Sequence, residues 1–475
     1  MTISFGTDGW RAVISDTFTF NNLRLVAQAI ADMIRSRSPH DQPQVVIGYD
    51  TRFLSDRYAA EVARVMAGNG IIAWLSRADT PTPAVSYTVV NKKAAAGIVI
   101  TASHNAPRYN GLKLKAPYGG AASIDDSRQV ERFLVRNQEQ MHGPNLIDLN
   151  VGLENQMIRK FDPAWAYYEH LATLVDMDRI SSGELRVVTD PMYGSGRGAI
   201  KELLARSRCY VHEIRGDMNP GFGGIHPEPM AHYLSALSSA IQNGFGTVGI
   251  ATDGDADRIG AMDDKGNYVD PHRIFALVLR YLIDKRGMKG SVVRTVSTTR
   301  MIDRIAARNN LELHETPVGF NYIAKLMRTD DVLMGGEESG GMSIKGHIPE
   351  GDGILMGLLL LEVIADAGVP LSELVDDLLQ DVGPAHYQRT DLALTNPVSK
   401  SDMVRRLIDG APAEIGGQSV VDVITTDGVK YLLADDGWLL IRPSGTEPVL
   451  RVYAESPERE MVKQMLQFGE QIAAR

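Results

Sequence analysis

The feature that most constrains the fold of this chain is a unit that recurs along its length: a short, β-branched apolar run followed by a polar loop. Residues 44–50 form one such run, and a stretch with helical spacing follows at residues 55–67. Strands that alternate with helices form parallel sheets covered by helices, and ligands bind beyond the carboxyl ends of the strands. The polar loops fall at those ends. The further apolar runs are at residues 95–100, 185–189, 247–251, 291–296 and 332–334.

The length of 475 residues exceeds what one hydrophobic core usually organises, which predicts roughly three to four domains. We expect the domains at residues 1–155, 156–260, 261–380 and 381–475. The first three are expected to be α/β domains with parallel or mixed sheets. The last combines several short strands with two helical stretches, which predicts a smaller α+β domain.

The composition narrows the function classes. A net charge of −10 argues against a nucleic-acid partner, whereas local cations and backbone N–H groups could still attract a small anionic substrate. The single cysteine, Cys209, forbids an intrachain disulfide and fits a reducing compartment. The N-terminal stretch lacks a signal-peptide pattern, and the longest apolar run, 354–365, is too short to span a bilayer and predicts a buried helix. We therefore expect a soluble, cytoplasmic protein without a membrane partner.

The most specific electrostatic feature is the segment Asp253-Gly254-Asp255-Ala256-Asp257-Arg258. Its three carboxylates would repel one another unless a cation neutralises them, and oxygen ligands favour Mg²⁺ or another hard divalent ion. An EF-hand is excluded because Arg258 stands where that loop needs a glycine. An exposed acidic turn remains the alternative, but the strand before it is strongly apolar. The segment predicts a metal site formed by Asp253, Asp255 and Asp257.

A serine, Ser103, follows the apolar run at residues 95–100 in the segment Thr101-Ala102-Ser103-His104-Asn105. A hydrolase nucleophile would need a Gly-x-Ser-x-Gly elbow, which is missing, and in strand geometry the His104 side chain would point away from Ser103. An N-cap role remains open. A phosphate on Ser103 is the third possibility, since lysines follow in residues 110–115 and the phosphate could supply a fourth metal ligand.

Two further loops carry groups suited to sugar phosphates. Residues 442–448, Arg-Pro-Ser-Gly-Thr-Glu-Pro, combine an arginine, two hydroxyls and a glycine, which are the parts of a phosphate cradle, and Arg451 adds a cation. A plain turn is the alternative there. Residues 336–341 offer carboxylates and a hydroxyl, as the recognition of sugar hydroxyls requires, although a solvated acidic loop has the same composition.

In their order along the chain, these segments resemble the α-D-phosphohexomutase superfamily, which includes phosphoglucomutases, phosphomannomutases and phosphoglucosamine mutases. The resemblance covers essentially the whole chain and implies four domains around a central cleft, three of them related α/β units. The matching segments, spaced from residue 5 to residue 448, are FGTDGWR, TASHNAPRYNGLK, DGDADR, GEESGG and RPSGTEP.

The resemblance implies which residues act on the reacting phosphate. It identifies Ser103 as the phosphorylated serine and places Arg11, Lys113 and His104 around the reacting group, with Lys113 assisting proton transfer. The implied Mg²⁺ ligands are Ser103 through its phosphate, Asp253, Asp255 and Asp257.

The resemblance also implies a substrate-binding set. Glu337 and Ser339 would bind sugar hydroxyls, and the loop that begins at Arg442 would hold the non-reacting phosphate. The remaining members of the set are Ser444, Gly445, Thr446, Arg451 and Arg258.

The implied reaction interconverts hexose 1-phosphate and hexose 6-phosphate through a 1,6-bisphosphate, with glucose favoured and mannose second. Glucose 1,6-bisphosphate is the expected activator, and the protein is expected to be a monomer or a homodimer. A bisphosphate synthase, a metal-dependent sugar phosphatase and a non-enzymatic sugar-phosphate sensor are the alternatives. Ala12 stands where phosphoglucosamine mutases typically have glycine, which disfavours that sugar. Gly341 stands where several bacterial mutases have histidine. His347 could take over that role, although an ordinary loop histidine is an equally good interpretation.

Overall fold

The computed structural model describes residues 3–6, 9–38, 41–393, 399–443 and 449–473. These residues form four sheets, each with its own helices. The first three domains are α/β domains and the fourth is built on an antiparallel sheet, which confirms the predicted fold class.

Domain I is a six-stranded mixed sheet with helices on both faces. Its strands are β1 (Trp10–Val13), β2 (Gln44–Tyr49), β3 (Ile72–Ser76), β4 (Ala96–Ile100), β5 (Tyr109–Lys115) and β6 (Ile158–Phe161). Its helices are α1 (Phe20–Arg37), α2 (Ser55–Gly68), α3 (Thr82–Asn91), α4 (Ile124–Glu139) and α5 (Leu149–Glu154). The strand order is β1-β5-β4-β2-β3-β6, and β5 runs antiparallel to both of its neighbours. Strand β6 belongs to this sheet although it follows the boundary expected at residue 155.

Domain II is a five-stranded mixed sheet of order β11-β10-β9-β7-β8. Its helices are α6 (Ala164–Leu174), α7 (Met177–Ser182), α8 (Ala199–Leu203) and α9 (Ser235–Gln242). Its strands are β7 (Arg186–Asp190), β8 (Tyr210–Glu213), β9 (Val248–Thr252), β10 (Ile259–Met262) and β11 (Tyr268–Val269).

Domain III is a four-stranded mixed sheet of order β13-β12-β14-β15. Its strands are β12 (Ser291–Thr295), β13 (Leu313–Thr316), β14 (Val332–Gly336) and β15 (Met342–Ile344). Its helices are α10 (Pro271–Asp284), α11 (Met301–Arg308), α12 (Phe320–Thr329), α13 (Gly353–Ala367) and α14 (Leu371–Val382).

Domain IV is a six-stranded antiparallel sheet of order β16-β21-β20-β19-β18-β17. Its strands are β16 (His386–Ala393), β17 (Glu414–Ile415), β18 (Gln418–Ile424), β19 (Val429–Leu433), β20 (Trp438–Pro443) and β21 (Val449–Ser456). Its helices are α15 (Lys400–Asp409) and α16 (Arg459–Ala473).

The first three domains share one supersecondary feature. In each, a buried strand of the parallel part of the sheet ends in a polar loop, and the chain then returns as an antiparallel strand: β4 to β5, β9 to β10 and β14 to β15. The sequence predicts a helix after most polar loops, as observed after β2, β7 and β12, but these three loops close hairpins instead. The reason is that β10 and β15 have only four and three residues, which are too few to show a period. Strand β5 is longer, but it buries the polar residues Asn110, Lys113 and Lys115, so its sequence does not look like that of a buried strand.

Helix α13 is the buried helix that the apolar run at residues 354–365 predicts, and it joins the cores of domains II and III. Its one acidic side chain in that run, Glu362, is fully buried, and four donors satisfy it. Its carboxylate accepts hydrogen bonds from the Tyr281 hydroxyl at 2.7 Å, from the Asp176 amide at 2.8 Å and from two nitrogens of Arg286. Among the described helices none is by itself long and apolar enough to cross a membrane; α13 and α14 meet the criteria of length and composition only as a pair bent by 86°.

Replacing Glu362 with alanine is expected to destabilise the fold by about 3–5 kcal/mol, because Arg286 and Tyr281 lose a buried partner. Urea unfolding followed by circular dichroism measures this change. The matched control is Glu184→Ala, which breaks an exposed pair with Arg208 at 3.4 Å and should change the unfolding free energy by less than about 0.5 kcal/mol. Equal effects of the two substitutions would contradict the structural role of Glu362.

Candidate active site

Ser103 lies in the loop between β4 and β5, at the carboxyl end of a buried strand. Its φ of +52° is left-handed, which breaks the strand geometry after Ile100. The N-cap alternative that the sequence left open and the expected orientation of His104 are therefore both wrong. Ser103 does not cap a helix, because a strand follows its loop. The His104 side chain does not point away either, since its Nδ1 lies 3.3 Å from Ser103 Oγ.

One guanidinium binds the backbone of the serine loop, residues 101–108 between β4 and β5. Arg52, which is buried, donates to four backbone carbonyl oxygens: those of Ser103 at 2.7 Å, Asn105 at 2.6 Å, Ala106 at 2.9 Å and Tyr109 at 3.0 Å. Its Nε donates to Asp50 at 3.1 Å, and that carboxylate also accepts from the Thr101 hydroxyl. Because bonds to a charged donor are stronger than neutral ones, this network stabilises the left-handed backbone at Ser103.

The three aspartates of the predicted metal loop converge between β9 and β10. Asp253, Asp255 and Asp257 each offer an oxygen, and these oxygens lie within 4.8 Å of one another. Ser103 Oγ donates to Asp253 Oδ2 at 2.9 Å, so the serine of domain I contacts the aspartates of domain II. The Asp255 Oδ1 atom is buried without a hydrogen-bond partner. An oxygen-rich cluster with an unsatisfied carboxylate oxygen fits a hard divalent cation.

Lys113 of β5 supplies positive charge to this cluster. Its Nζ lies 2.9 Å from Asp255 Oδ2 and 2.7 Å from Asp257 Oδ2, and the side chain is buried. Although burial opposes ionisation of Asp255, the Lys113 ammonium and a hydrogen bond from Thr82 lower the pKa of that carboxyl below its ordinary value. Burial, followed by repulsion from Asp257 and Asp255, raises the pKa of Asp253 well above its ordinary value. One ammonium therefore does not balance three carboxylates, and the site has capacity for a further cation.

Cations surround the serine loop. Arg11 Nη1 donates to the Asn105 side chain at 2.7 Å. Arg258 lies 3.7 Å from Glu228 and 3.9 Å from Asp257. Burial, together with the charges of Arg258, Arg11, Arg451 and Lys113, lowers the pKa of His104 well below its ordinary value. The imidazole beside Ser103 is therefore neutral at physiological pH, and the surroundings favour an anion.

The loop between β14 and β15 presents its two carboxylates differently. Glu337 accepts the Gly319 amide at 2.9 Å, and burial, opposed by Arg258 and supported by Glu338, raises the pKa of Glu337 to about 7. Glu338 pairs with Arg389 of β16 at 3.1 Å, which ties this loop to domain IV. Ser339 lies beside them, half-buried.

Domain IV presents two arginines on neighbouring strands. Arg442 of β20 and Arg451 of β21 are directly opposed in the ladder, where like charges repel. Arg442 Nε donates to Asp427 at 2.6 Å, and Arg451 Nε lies 3.7 Å from Asp391. Two opposed guanidiniums are a favourable place for a phosphate. Ser444, Gly445 and Thr446, the predicted remainder of this loop, lie outside the described residues.

Sequence reasoning missed three residues that shape the site. Arg52 and Thr82 position the serine and an aspartate, and Asp427 pairs with Arg442. One signal was present for Arg52, because Asp50-Thr51-Arg52 also follows a buried strand and therefore emerges at the same edge of the sheet as Ser103.

His347 does not take the place of a histidine at position 341. Its side chain is fully buried, and its ring nitrogens face Asp352 and His170, each at 3.0 Å. A Cβ on Gly341 would lie 3.6 Å from Glu337 Oε2 and 3.6 Å from the Phe320 ring, so a side chain there would sit beside the Glu337 carboxylate.

The sequence matches four domain families, described as the α/β/α domains I, II and III and the C-terminal domain of phosphoglucomutase/phosphomannomutase. The matches cover residues 2–141, 165–266, 270–382 and 401–468. The chain belongs to the phosphoglucomutase/phosphomannomutase family. Members of this family are phosphomutases, and the chain is accordingly a phosphohexomutase-type enzyme.

Three relatives show how broad the family is. A phosphoglucomutase/phosphomannomutase of Thermococcus kodakarensis is 30% identical over 98% of this chain and 97% of its own length. A phosphoglucomutase of Komagataeibacter xylinus is 29% identical over 96% of this chain and 87% of its own length. A phosphoglucosamine mutase of Limosilactobacillus reuteri is 29% identical over 98% and 96%, respectively. Their names differ in the sugar, so similarity alone does not fix the substrate.

Two crystal structures share the fold along the whole chain. A protein of Thermus thermophilus superimposes with a TM-score of 0.86 at 31% identity and covers 100% of both chains. The phosphoglucomutase pp63/parafusin of Paramecium, in an open form, superimposes with a TM-score of 0.85 at 21% identity and covers 99% of this chain and 94% of its own.

The backbone of the metal loop packs closely against the serine loop at Gly254. A Cβ on Gly254 would lie 2.5 Å from the Ser103 carbonyl oxygen, which also accepts from Arg52. We expect Gly254→Ala to separate the two loops and to lower phosphomutase turnover by about 100-fold, since an ångström-scale misplacement has that effect. A coupled turnover assay with circular dichroism measures this. The control is Gly143→Ala, whose Cβ has open space and which should match the wild type. Full turnover of Gly254→Ala would contradict the close approach.

Proposed function

We propose that this chain interconverts hexose 1-phosphate and hexose 6-phosphate, with glucose the favoured sugar and mannose the second, through a phosphoserine at Ser103 and a hexose 1,6-bisphosphate. The observation that carries the proposal is the 2.9 Å contact of Ser103 Oγ with Asp253 Oδ2, in a cluster that also holds Lys113. A hydroxyl, a hard-cation site and an ammonium within contact distance are the parts that phosphoryl transfer requires.

Asp253, Asp255 and Asp257 would hold Mg²⁺ together with an oxygen of the Ser103 phosphate. The unsatisfied Asp255 Oδ1 and the all-oxygen donor set support this assignment. When bound, Mg²⁺ supplies Lewis-acid stabilisation of negative charge on the transferring group.

In the forward step, a sugar hydroxyl oxygen forms a bond to phosphorus while the bond from phosphorus to Ser103 Oγ breaks. The hydroxyl loses its proton to a base, and Ser103 Oγ gains one, so that protons balance. Neutral His104, with Nδ1 at 3.3 Å from Ser103 Oγ, and Lys113 are the groups placed to move these protons. Arg11 would bind the reacting phosphate.

The resulting bisphosphate has to reverse its orientation in the site, so that its other phosphate faces Ser103 and can be transferred back. Glu337 and Ser339 would hold ring hydroxyls in both orientations, with Arg258 beside them. The phosphate that is not reacting would be held by Arg442 and Arg451 together with Ser444, Gly445 and Thr446. Glucose 1,6-bisphosphate would serve as activator because it rephosphorylates Ser103.

The charges of the loop between β14 and β15, here called the sugar loop (residues 337–341), favour a neutral sugar over an amino sugar. Glu338 already pairs with Arg389, and the pKa of about 7 leaves Glu337 only partly ionised at neutral pH. Arg258 lies near Glu337 and Arg389 pairs with Glu338, so an ammonium substituent would meet carboxylates that already have a cation nearby, whereas hydroxyls can donate to Glu337. This argument supports glucose and mannose phosphates over glucosamine phosphate.

The proposal is tested by ³¹P NMR of the purified protein with Mg²⁺, glucose 1-phosphate and a trace of glucose 1,6-bisphosphate. Growth of the 6-phosphate signal with the bisphosphate held constant is the expected result. Accumulating bisphosphate would indicate a synthase, and free inorganic phosphate would indicate a phosphatase. If no signal changes with glucose, mannose or glucosamine phosphates, the protein is not a mutase for these sugars.

Substitution of Ser103 by alanine should abolish turnover, because no oxygen remains to carry the phosphoryl group, while metal binding persists on the three aspartates. Turnover is measured in the same NMR assay, and metal binding by titration calorimetry with Mg²⁺. Retained full turnover would exclude the serine mechanism. A simultaneous loss of metal binding and of fold would instead identify the variant as misfolded.

The pKa of about 7 at Glu337 predicts a pH-dependent KM. The ionised carboxylate accepts sugar hydroxyls better than the neutral acid, so KM should fall by about tenfold as the pH rises from about 6 to about 8, following the ionised fraction. In Glu337→Gln the part of the pH dependence that comes from Glu337 should disappear. The part that comes from ionisation of the substrate phosphate is the same in both proteins, so the ratio of their KM values isolates Glu337. Parallel pH profiles of the two proteins would contradict the role of Glu337.

A further inference from the structure

A second buried lysine stands two residues after Lys113 on strand β5. Alternate residues of a strand share one face, so Lys115 lies on the same face of the sheet as Lys113. Lys113 reaches the aspartates of domain II, whereas the Lys115 Nζ lies 2.7 Å from an oxygen of Glu350 in domain III. The Lys115 side chain is 0% exposed and that of Glu350 is 5% exposed.

Glu350 lies in the segment between β15 and α13, against domain I. The Ser86 hydroxyl of α3 donates to the same Glu350 oxygen at 3.3 Å. The backbones also meet here, since a Cβ on Gly120 would lie 2.5 Å from the Pro349 carbonyl oxygen. Separating the two domains at this point would leave both buried charges without their partner, so the Lys115–Glu350 contact favours the present arrangement of domains I and III.

The residues that follow Glu350 contact both the metal loop and the sugar loop. A Cβ on Gly351 would lie 2.8 Å from the Asp257 carbonyl oxygen of the metal loop and 3.1 Å from Gly341 Cα of the sugar loop. The Gly353 amide donates to the Ala256 carbonyl oxygen at 3.1 Å. A short stretch that begins at Glu350 therefore contacts the metal loop and the sugar loop while Lys115 anchors it to the strand of Lys113.

We propose that Lys115 and Glu350 are positioning residues for phosphoryl transfer, which set the distance between the serine of domain I and the sugar held by domain III. This inference rests on the proposed function. Transfer in either direction requires the attacking oxygen within near-attack distance of phosphorus, and a looser arrangement of the two domains lowers that population. A looser arrangement of the two domains also gives the bisphosphate more time to dissociate before it has reversed its orientation and transferred its other phosphate to Ser103.

The test uses Glu350→Asp, which keeps the charge but shortens the side chain, and Glu350→Gln, which keeps the length but removes the charge. Each variant is compared with the wild type for kcat, KM, bisphosphate released per turnover by ³¹P NMR, and thermal midpoint. We expect kcat to fall by about tenfold or more with KM changed less than about threefold, and bisphosphate release to rise. Glu350→Asp should keep a thermal midpoint near that of the wild type.

The matched control is Lys345→Met in the same segment, which breaks an exposed pair with Asp331 and should behave as the wild type. If Glu350→Gln fails to fold, Glu350→Asp decides. The inference is overturned if the folded variants keep the kcat and the bisphosphate release of the wild type, or if activity falls only in proportion to the folded fraction. A wild type without turnover would overturn the proposed function and this inference together.

Discussion

The burial of three like charges in one loop is the constraint on which the rest of the site depends. Asp253, Asp255 and Asp257 hold carboxylate oxygens within 4.8 Å of one another, where mutual repulsion is strong because little water screens it. The surrounding protein compensates with Lys113 from domain I and with backbone amides that donate to Asp253. The amides belong to the metal loop itself, whereas Lys113 comes from β5, so the charge on the aspartates also favours contact between domains I and II.

The same topological feature, a hairpin that follows a buried strand, positions the functional loop in each of the first three domains. In domains I, II and III the functional loop closes a hairpin at the carboxyl end of a buried strand. Regular hydrogen bonding on both sides fixes the ends of each loop, so a residue such as Ser103 can adopt left-handed backbone at its centre. The strain is local, and the buried Arg52 guanidinium stabilises it through four carbonyl oxygens.

The sequence predicts the fold class, which the structure confirms, because apolar runs followed by acidic or hydroxyl-rich loops have few structural solutions. It also predicts that Ser103 and the three aspartates emerge at the ends of buried strands, and the structure places them there. The sequence does not predict which loops close hairpins, since β10 and β15 are too short to show a period of two and β5 buries lysines that a buried strand rarely carries. Nor does it predict pairs such as Lys115 with Glu350 or Glu362 with Arg286, whose members are far apart in the chain. Such partners become visible only when tertiary packing brings them together. His347 is another example, since its contacts are with Asp352 and His170.

The three hairpins have a consequence for how the chain tolerates change in length. The register of each ladder is fixed next to its loop, with Ile100 opposite Leu112, Thr252 opposite Ile259 and Gly336 opposite Met342. A residue inserted in β5 before Lys113 would turn the later side chains of the strand to the opposite face and remove Lys113 from the aspartates. The exposed stretch around Gly143, in contrast, has open space on its surface. Inserted residues, including peptide labels, can be accommodated around Gly143. Inside the hairpins, the number of residues is as important for the site as their identity.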